Sequence, residues 1–247
     1  MIDSEMKYSI IIPYRNREEH LEVLLPRLQD KFADKEYEII ISEQGNEDNF
    51  QIAIVNNIGF KEATGDVIIL HQVDYYPADD LDYTFTGTAT LMGAKAFFLD
   101  RDNASLRPEH DIPGGYRSFS QAIDPNFYGG VVMMSREQFE VINGLNPLYK
   151  GWGNEDEDLR ERLRWASIPV VRQSEGTYFC LYHDDNGAMH LKPEQDQRDF
   201  YEGKMLYQKA YDYKHVGYNN IEYTLEEIPT ELENVKWIKS NNYKINL

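Results

Sequence analysis

YSIIIPYRNREEHLEVLLPRLQDKFADKEYEIIISEQGNEDNFQIAIVNNIGFKEATGDVIIL, residues 8–70, is the stretch that decides the fold. Three β-rich runs, at 8–12, 37–42 and 67–70, alternate with two helix-like stretches at 18–31 and 50–63. Parallel neighbours need a long crossover between them, and a helix supplies it, so this order predicts an α/β domain with a mostly parallel sheet wrapped by helices. Ligands of such sheets sit in the crevice beyond the carboxyl ends of the strands. The polar segments 13–17, 44–49 and 71–77 are therefore expected to lie near one another.

Further along, residues 100–126 read as a loop, with Pro108, Pro113, Gly114, Gly115 and Pro125. A strand at 128–134, a helix at 135–142 and an Asn143-Gly144 turn follow. Then comes GWGNEDEDLRERLRWA, residues 151–166, in which Asn154 is placed to cap a helix whose first turn holds four acids and whose later turns hold Arg160, Arg162 and Arg164. Strands are expected at 170–172 and 177–183 and a polar helix over 193–211, with an irregular tail behind it. With no repeat and no linker, residues 1–247 read as one domain.

Composition narrows the class. The chain is 41% hydrophobic and 28% charged, which excludes a disordered or collagen-like protein. Its single cysteine, Cys180, excludes a disulfide scaffold. A formal charge of −18 repels nucleic-acid backbones and anionic membrane surfaces. The longest apolar runs, such as 67–70 and 131–134, fall far short of the ~20 residues of a transmembrane helix. The opening MIDSEMKYS has no signal-peptide plan. The expectation is a soluble, cytoplasmic protein.

Three clusters bear chemistry. Asp74, ending HQVD after an apolar run, is either a turn former or a hard oxygen ligand for Mn²⁺ or Mg²⁺, and His183 adds a nitrogen far along the chain. In Pro13-Tyr14-Arg15-Asn16-Arg17, two guanidinium groups suit phosphates and the ring suits a base, although a charged loop before a helix reads the same way. In Gly151-Trp152-Gly153, the glycines free the backbone to present an indole to a sugar ring, with Glu155 and Asp156 beside it as hydroxyl acceptors or base. The alternative there is a core tryptophan followed by acids that merely complement a helix dipole.

Taken together, IIPYRNREEHL, NFQIAIVNNIGF, ILHQVDYYP, FYGGVVMMSREQFEVINGLNPLYKGWGNEDEDLRERL, CLYHDD and VGYNNIEYTL resemble the β-1,4-galactosyltransferase family, inverting nucleotide-sugar transferases of the GT-A fold. The likeness runs over nearly the whole chain. It implies a nucleotide-binding half over 1–90, an acceptor and catalytic half over 127–190, and a C-terminal helix and tail over 191–247. By resemblance Asp74 matches the second aspartate of the family's DVD motif and, with His183, the ligands of Mn²⁺. Pro13, Tyr14, Arg15, Arg17, Phe50, Val73, Asp74 and Trp152 fall on the UDP-sugar side. Trp152, Gly153, Glu155 and Asp156 fall on the acceptor side, with Asp156 as general base and Trp152 with its flanking glycines as the hinge of a closing loop. The partners implied are a UDP-sugar donor and a glycan or glycolipid acceptor.

Four departures from the family pattern stand out. Gln72 replaces the first aspartate of DVD, and Ile52 replaces an arginine near the diphosphate. Cys180 stands where some members place a methionine ligand, which leaves the third metal ligand open. Phe127 takes the place of a tyrosine that helps to select the donor sugar, so UDP-galactose and UDP-N-acetylgalactosamine both remain candidates. The family's animal members are anchored and disulfide-bonded, so a soluble bacterial or viral member that builds surface polysaccharide is the expected setting. Rivals are a noncatalytic sugar-nucleotide module and an inverting glycoside hydrolase, which needs two carboxylates but neither metal nor phosphate contacts.

Overall fold

Alternation along the first strands fixes how the chain layers. The computed structural model describes residues 6–98, 120–123, 127–149, 153–181 and 214–246. In β1 (Lys7–Tyr14), β2 (Glu36–Gln44) and β3 (Val67–His71), side chains point alternately to the two sheet faces. Ile10, Ile12, Ile39, Ile41, Val67 and Ile69 pack with Leu21, Leu24, Leu25 and Leu28 of α1 (Glu18–Lys31). Ile11, Ile40, Ile68 and Leu70 face the other way, onto Ala53, Ile54 and Ile58 of α2 (Ile52–Glu62). Each fully buried Leu or Ile contributes roughly 1.5–3 kcal/mol, so the two faces make two cores that fix the register of all three strands.

β1 pairs in parallel with β2 on one side and with β3 on the other, so the chain reverses direction across the sheet at β1. Beyond β3 the sheet is mixed rather than mostly parallel. β8 (Val131–Ser135) runs antiparallel to β3 and to β5 (Ala89–Leu91), and β9 (Val170–Arg172) closes that side parallel to β5. α3 (Arg136–Val141) follows β8 behind a capping box, with Ser135 Oγ accepting from the Gln138 N–H and the Gln138 side chain accepting from the Ser135 N–H. A second sheet joins β4 (Tyr75–Pro77), β10 (Thr177–Cys180), β6 (Lys95–Phe98) and β7 (Ser120–Ala122) in that order. α4 (Glu155–Trp165) packs Leu159 and Leu163 into the α2-side core.

Two expectations are corrected. The C-terminal stretch is not an irregular tail: β11 (Ile221–Ile228) and β12 (Val235–Ile245) form a hairpin, and β12 joins the main sheet parallel to β2. Half-buried and exposed polar residues make up most of both strands, with few buried apolar ones such as Ile221 and Ile238, which dilutes the apolar signal. Asn154 does not cap α4 through its side chain: it sits at φ 72°, after Gly153 at φ 99°, and a side-chain cap needs an extended backbone. The helix expected at 193–211, and most of the loop expected at 100–126, lie outside the described residues.

Candidate active site

The order β2-β1-β3 sets three carboxyl ends side by side, and each leads into a polar segment. After β1, Asn16 at φ 52° turns the chain into α1, whose first turn carries Glu18 and Glu19 in place of a side-chain cap. The turn lays the Arg15 guanidinium over the Phe50 ring, 5.2 Å from its centroid, with Nη1 donating to the Asp48 carbonyl. Pro13 and Tyr14 are buried, and the Tyr14 ring meets Trp237 of β12 edge-on at 5.3 Å. Tyr14 is thus anchored in the core beneath the turn, and the Phe50 ring lies under the Arg15 guanidinium. Arg17 starts α1, its carbonyl accepting from the His20 and Leu21 amides at 3.1 Å.

The loop at 45–50 is organised by Gln44, a residue that sequence reasoning did not single out. Its side-chain oxygen accepts from the Gln51 N–H (2.8 Å), while its amide nitrogen faces Asn46 Oδ1 (2.8 Å) and the carbonyls of Asp48 and Asn49 (3.1 Å each). Ile52, at the departure noted above, begins α2.

Asp74 lies in the turn between β3 and β4, just past the buried Val73. The turn pivots on the Gln72 carbonyl, which accepts from the Tyr75 N–H (3.3 Å) and from His71 Nδ1 (2.9 Å). Because Nδ1 must donate there, His71 Nε2 accepts from the Tyr83 hydroxyl (2.8 Å), and the Tyr178 hydroxyl follows at 3.2 Å. Burial pushes the His71 pKa down to about 4, so the ring is neutral and the chain of hydroxyls has one direction. A polar residue closing the apolar run VIIL was the available signal for His71.

The Asp74 carbonyl accepts from the Leu181 N–H at 2.7 Å, which brings the end of β10 against the turn. His183 lies outside the described residues, two positions beyond that bond. Among the described residues, no group of three or more His, Cys, Asp or Glu side chains converges as a metal site. The Asp74 carboxylate, half-buried at a strand end, is a hard oxygen ligand and fits a divalent cation. Cys180 fits it less well: its sulfur is a soft donor for a hard cation, and the thiol, pushed up by burial and then by the charge of Asp74, hydrogen-bonds with Tyr75. Across the crevice, a Cβ on Gly130 would meet the Tyr75 ring at 2.8 Å, so the segment bearing Phe127 stands next to the Asp74 turn. Phe127 is 40% exposed, and its carbonyl accepts from Arg172, which also donates to the carbonyls of Met92 and Gly93.

The four acids that open α4 meet different fates. Glu155 is pushed up to about 7, first by burial and then by the charge of Asp156. Its Oε2 and Asn154 Nδ2 are buried with no hydrogen-bond partner. Asp156 is half-buried and accepts from the Glu157 N–H at 2.9 Å. Glu157 is raised to about 7 by its hydrogen bond with Asp156. Asp158 is fully buried against Arg162. Trp152 lies outside the described residues, and Gly153, with φ 99° and open space around its α-carbon, leads the chain into the helix.

A stability signature follows from Glu155. Its folded pKa lies above its unfolded value of 4.5, so its contribution is fully present below about pH 4.5 and is lost as pH rises through about 7. Glu155→Gln is expected to raise Tm at pH 8 by roughly 3 °C or more and to flatten the decline between pH 4.5 and 7. Thermal melts across that range check it; superimposable profiles for the two proteins would rule out a buried, strained carboxyl.

Comparison with known proteins places this arrangement. The family model described as the N-terminal region of glycosyl transferase group 7 matches residues 2–86, and that described as the N-terminal domain of galactosyltransferase matches 120–184; together they take in more than half of the chain. The β-N-acetyl-D-glucosaminide β-1,4-N-acetylglucosaminyl-transferase of Lymnaea stagnalis is 35% identical over 73% of this chain. β-1,4-Galactosyltransferase 6 of Mus musculus is 32% identical over 74%, and β-1,4-galactosyltransferase 4 of Cricetulus griseus 29% over 89%. The chain spans 35%, 45% and 59% of those relatives' own lengths. Among solved structures, the catalytic domain of Drosophila β1,4-galactosyltransferase 7 with xylobiose superposes with a TM-score of 0.66 at 23% identity, covering 98% of this chain and 94% of that one. A mutant of the same enzyme, solved with manganese, UDP-Gal and xylobiose, matches with the same TM-score at 21% identity. The fold is therefore GT-A, and the chain belongs to the β-1,4-galactosyltransferase family.

Proposed function

We propose that this protein is an inverting, metal-dependent glycosyltransferase that moves galactose or N-acetylgalactosamine from a UDP-sugar to a hydroxyl of a glycan or glycolipid acceptor. The observation that carries this reading is the pair of buried polar atoms without partners at the start of α4, Asn154 Nδ2 and Glu155 Oε2. Buried polar groups are almost always paired, so an unpaired donor and an unpaired acceptor on consecutive residues support a reading in which a hydroxyl-bearing ligand completes their bonding. Asp156 beside them is the general base for the acceptor hydroxyl. Arg15 and Phe50 hold the uridine side and Arg17 the diphosphate. Asp74 and His183 would hold Mn²⁺, which when bound neutralises the charge left on UDP. Trp152 and Gly153 border both sugars, and inversion needs no covalent intermediate. Membership of a family whose relatives include an N-acetylglucosaminyl-transferase supports transfer and leaves the sugar to be read by experiment. No helix among the described residues is long and apolar enough to cross a membrane. We place the acceptor in surface-polysaccharide synthesis.

Calorimetric titration with UDP, UDP-galactose, UDP-N-acetylgalactosamine and UDP-N-acetylglucosamine, with Mn²⁺ and again with the metal chelated, tests the reading. Binding is expected only with metal, and Asp74→Ala is expected to weaken metal-dependent UDP binding by at least roughly 100-fold, as loss of a carboxylate from a hard-cation site implies. Equal binding with chelated metal, or unchanged binding in Asp74→Ala, would move the cation away from this turn.

A further inference from the structure

β12 and the loop after β2 form one unit. Gly45 N–H donates to the Ser240 carbonyl at 2.8 Å, and a Cβ at residue 45 would crowd the side chains of Asn241 and Lys239, so the loop lies close against the strand. Gln51 Nε2 donates to the Tyr243 hydroxyl at 2.8 Å. Trp237 Nε1 donates to Glu43 Oε2 at 2.8 Å, and Lys239 pairs with Glu43 Oε1 at 2.8 Å. Gln44, 1% exposed, fills the inside of the same loop with the bonds described above. All of these contacts end at residues 43–51, the segment that presents Phe50 and the Asp48 carbonyl to Arg15.

We propose that Gln44 and Tyr243 are positioning residues for recognition of the nucleotide base, Gln44 from within the loop and Tyr243 from the C-terminal strand. This rests on the reading of the crevice as a UDP-sugar site. Neither side chain is the ligand's own contact; both act through Phe50 and Arg15. A flat base gains from a ring and a guanidinium only if these are already held in place, since ordering a free loop on binding takes away much of the gain. The diphosphate end, held by other residues, should not sense the loop.

The test uses the full chain and two probes, UDP and inorganic pyrophosphate, each with Mn²⁺. Gln44→Met keeps the volume and removes every hydrogen bond of the side chain. It is expected to weaken UDP about tenfold and pyrophosphate less than about twofold. In a Phe50→Ala background the same change is expected to cost less than about twofold for UDP, because the two residues act through one contact. Tyr243→Phe, a milder change that keeps the ring, is expected to weaken UDP about threefold, and it carries the test if Gln44→Met does not fold. Unchanged UDP affinity, an equal loss for both probes, or a full additive loss in the Phe50→Ala background would each overturn the assignment. A wild-type protein that binds pyrophosphate but not UDP would overturn it too, whereas binding of neither probe is the failure of the transferase reading on which it rests.

Discussion

Asp156→Asn is expected to slow sugar transfer by about 10³-fold while UDP and Mn²⁺ titrate as they do with wild type. The substitution isolates one property. The amide introduced at position 156 keeps an oxygen to accept the Glu157 N–H at the start of α4, so the helix begins as before. What it loses is the ability to take a proton from the acceptor hydroxyl, a contribution of about 10²–10⁴ in rate for a positioned general base. Initial rates with saturating donor and acceptor, alongside calorimetry of UDP with the metal, separate the two effects. A mutant turning over near the wild-type rate would remove Asp156 from the chemistry and shift attention to Glu155.

Two residues along the same helix, the expectation is reversed. Asp158 and Arg162 are both fully buried and paired, and the Arg162 guanidinium also donates to the carbonyls of Ile142 (3.1 Å), Gly144 (3.2 Å) and Val216 (2.7 Å). One cation thus ties α4 to the turn after α3 and to the segment before the C-terminal hairpin. Asp158→Ala leaves that guanidinium buried without its countercharge, which costs about 3–5 kcal/mol, or a fall in Tm on the order of 10 °C. Denaturant unfolding of the two proteins measures the difference directly. A loss below about 1 kcal/mol would mean the carbonyls alone satisfy Arg162. Carboxylates of one acidic run thus meet different surroundings: Asp156 is half-buried, and Asp158 is buried against Arg162.

That division explains what was legible beforehand. The β1-α1-β2-α2-β3 order could be read because apolar residues dominate the buried side of each element, with only a few buried polar groups such as Ser9, Asn57 and His71 among them, and the connections are short. Asp156 and Glu155 could be named by resemblance, but nothing in EDED distinguishes the half-buried Asp156 from Asp158, which turns inward onto Arg162. The pairing of β12 with β2 was hidden because Lys236, Lys239, Asn241 and Asn242 interrupt its pattern, and strand pairing between distant segments leaves no local trace. Gln44 carried no motif. Its importance comes from the partners that the loop folds around it. Asn154 misled for a related reason: the residue type suits a cap, but two successive left-handed residues point its side chain elsewhere.

The parallel seam between β2 and β12 joins residues roughly 200 positions apart, from Ile39 with Val235 to Gln44 with Ser240. Contacts of that span form late, after shorter loops have closed, and during synthesis they wait for the final hairpin to emerge. The loop at 45–50 takes its final form only when β12 docks, because Gly45 and Gln51 find their partners on that strand. On the proposed reading, a nucleotide that prefers the closed loop stabilises the docking of the hairpin by its own binding free energy.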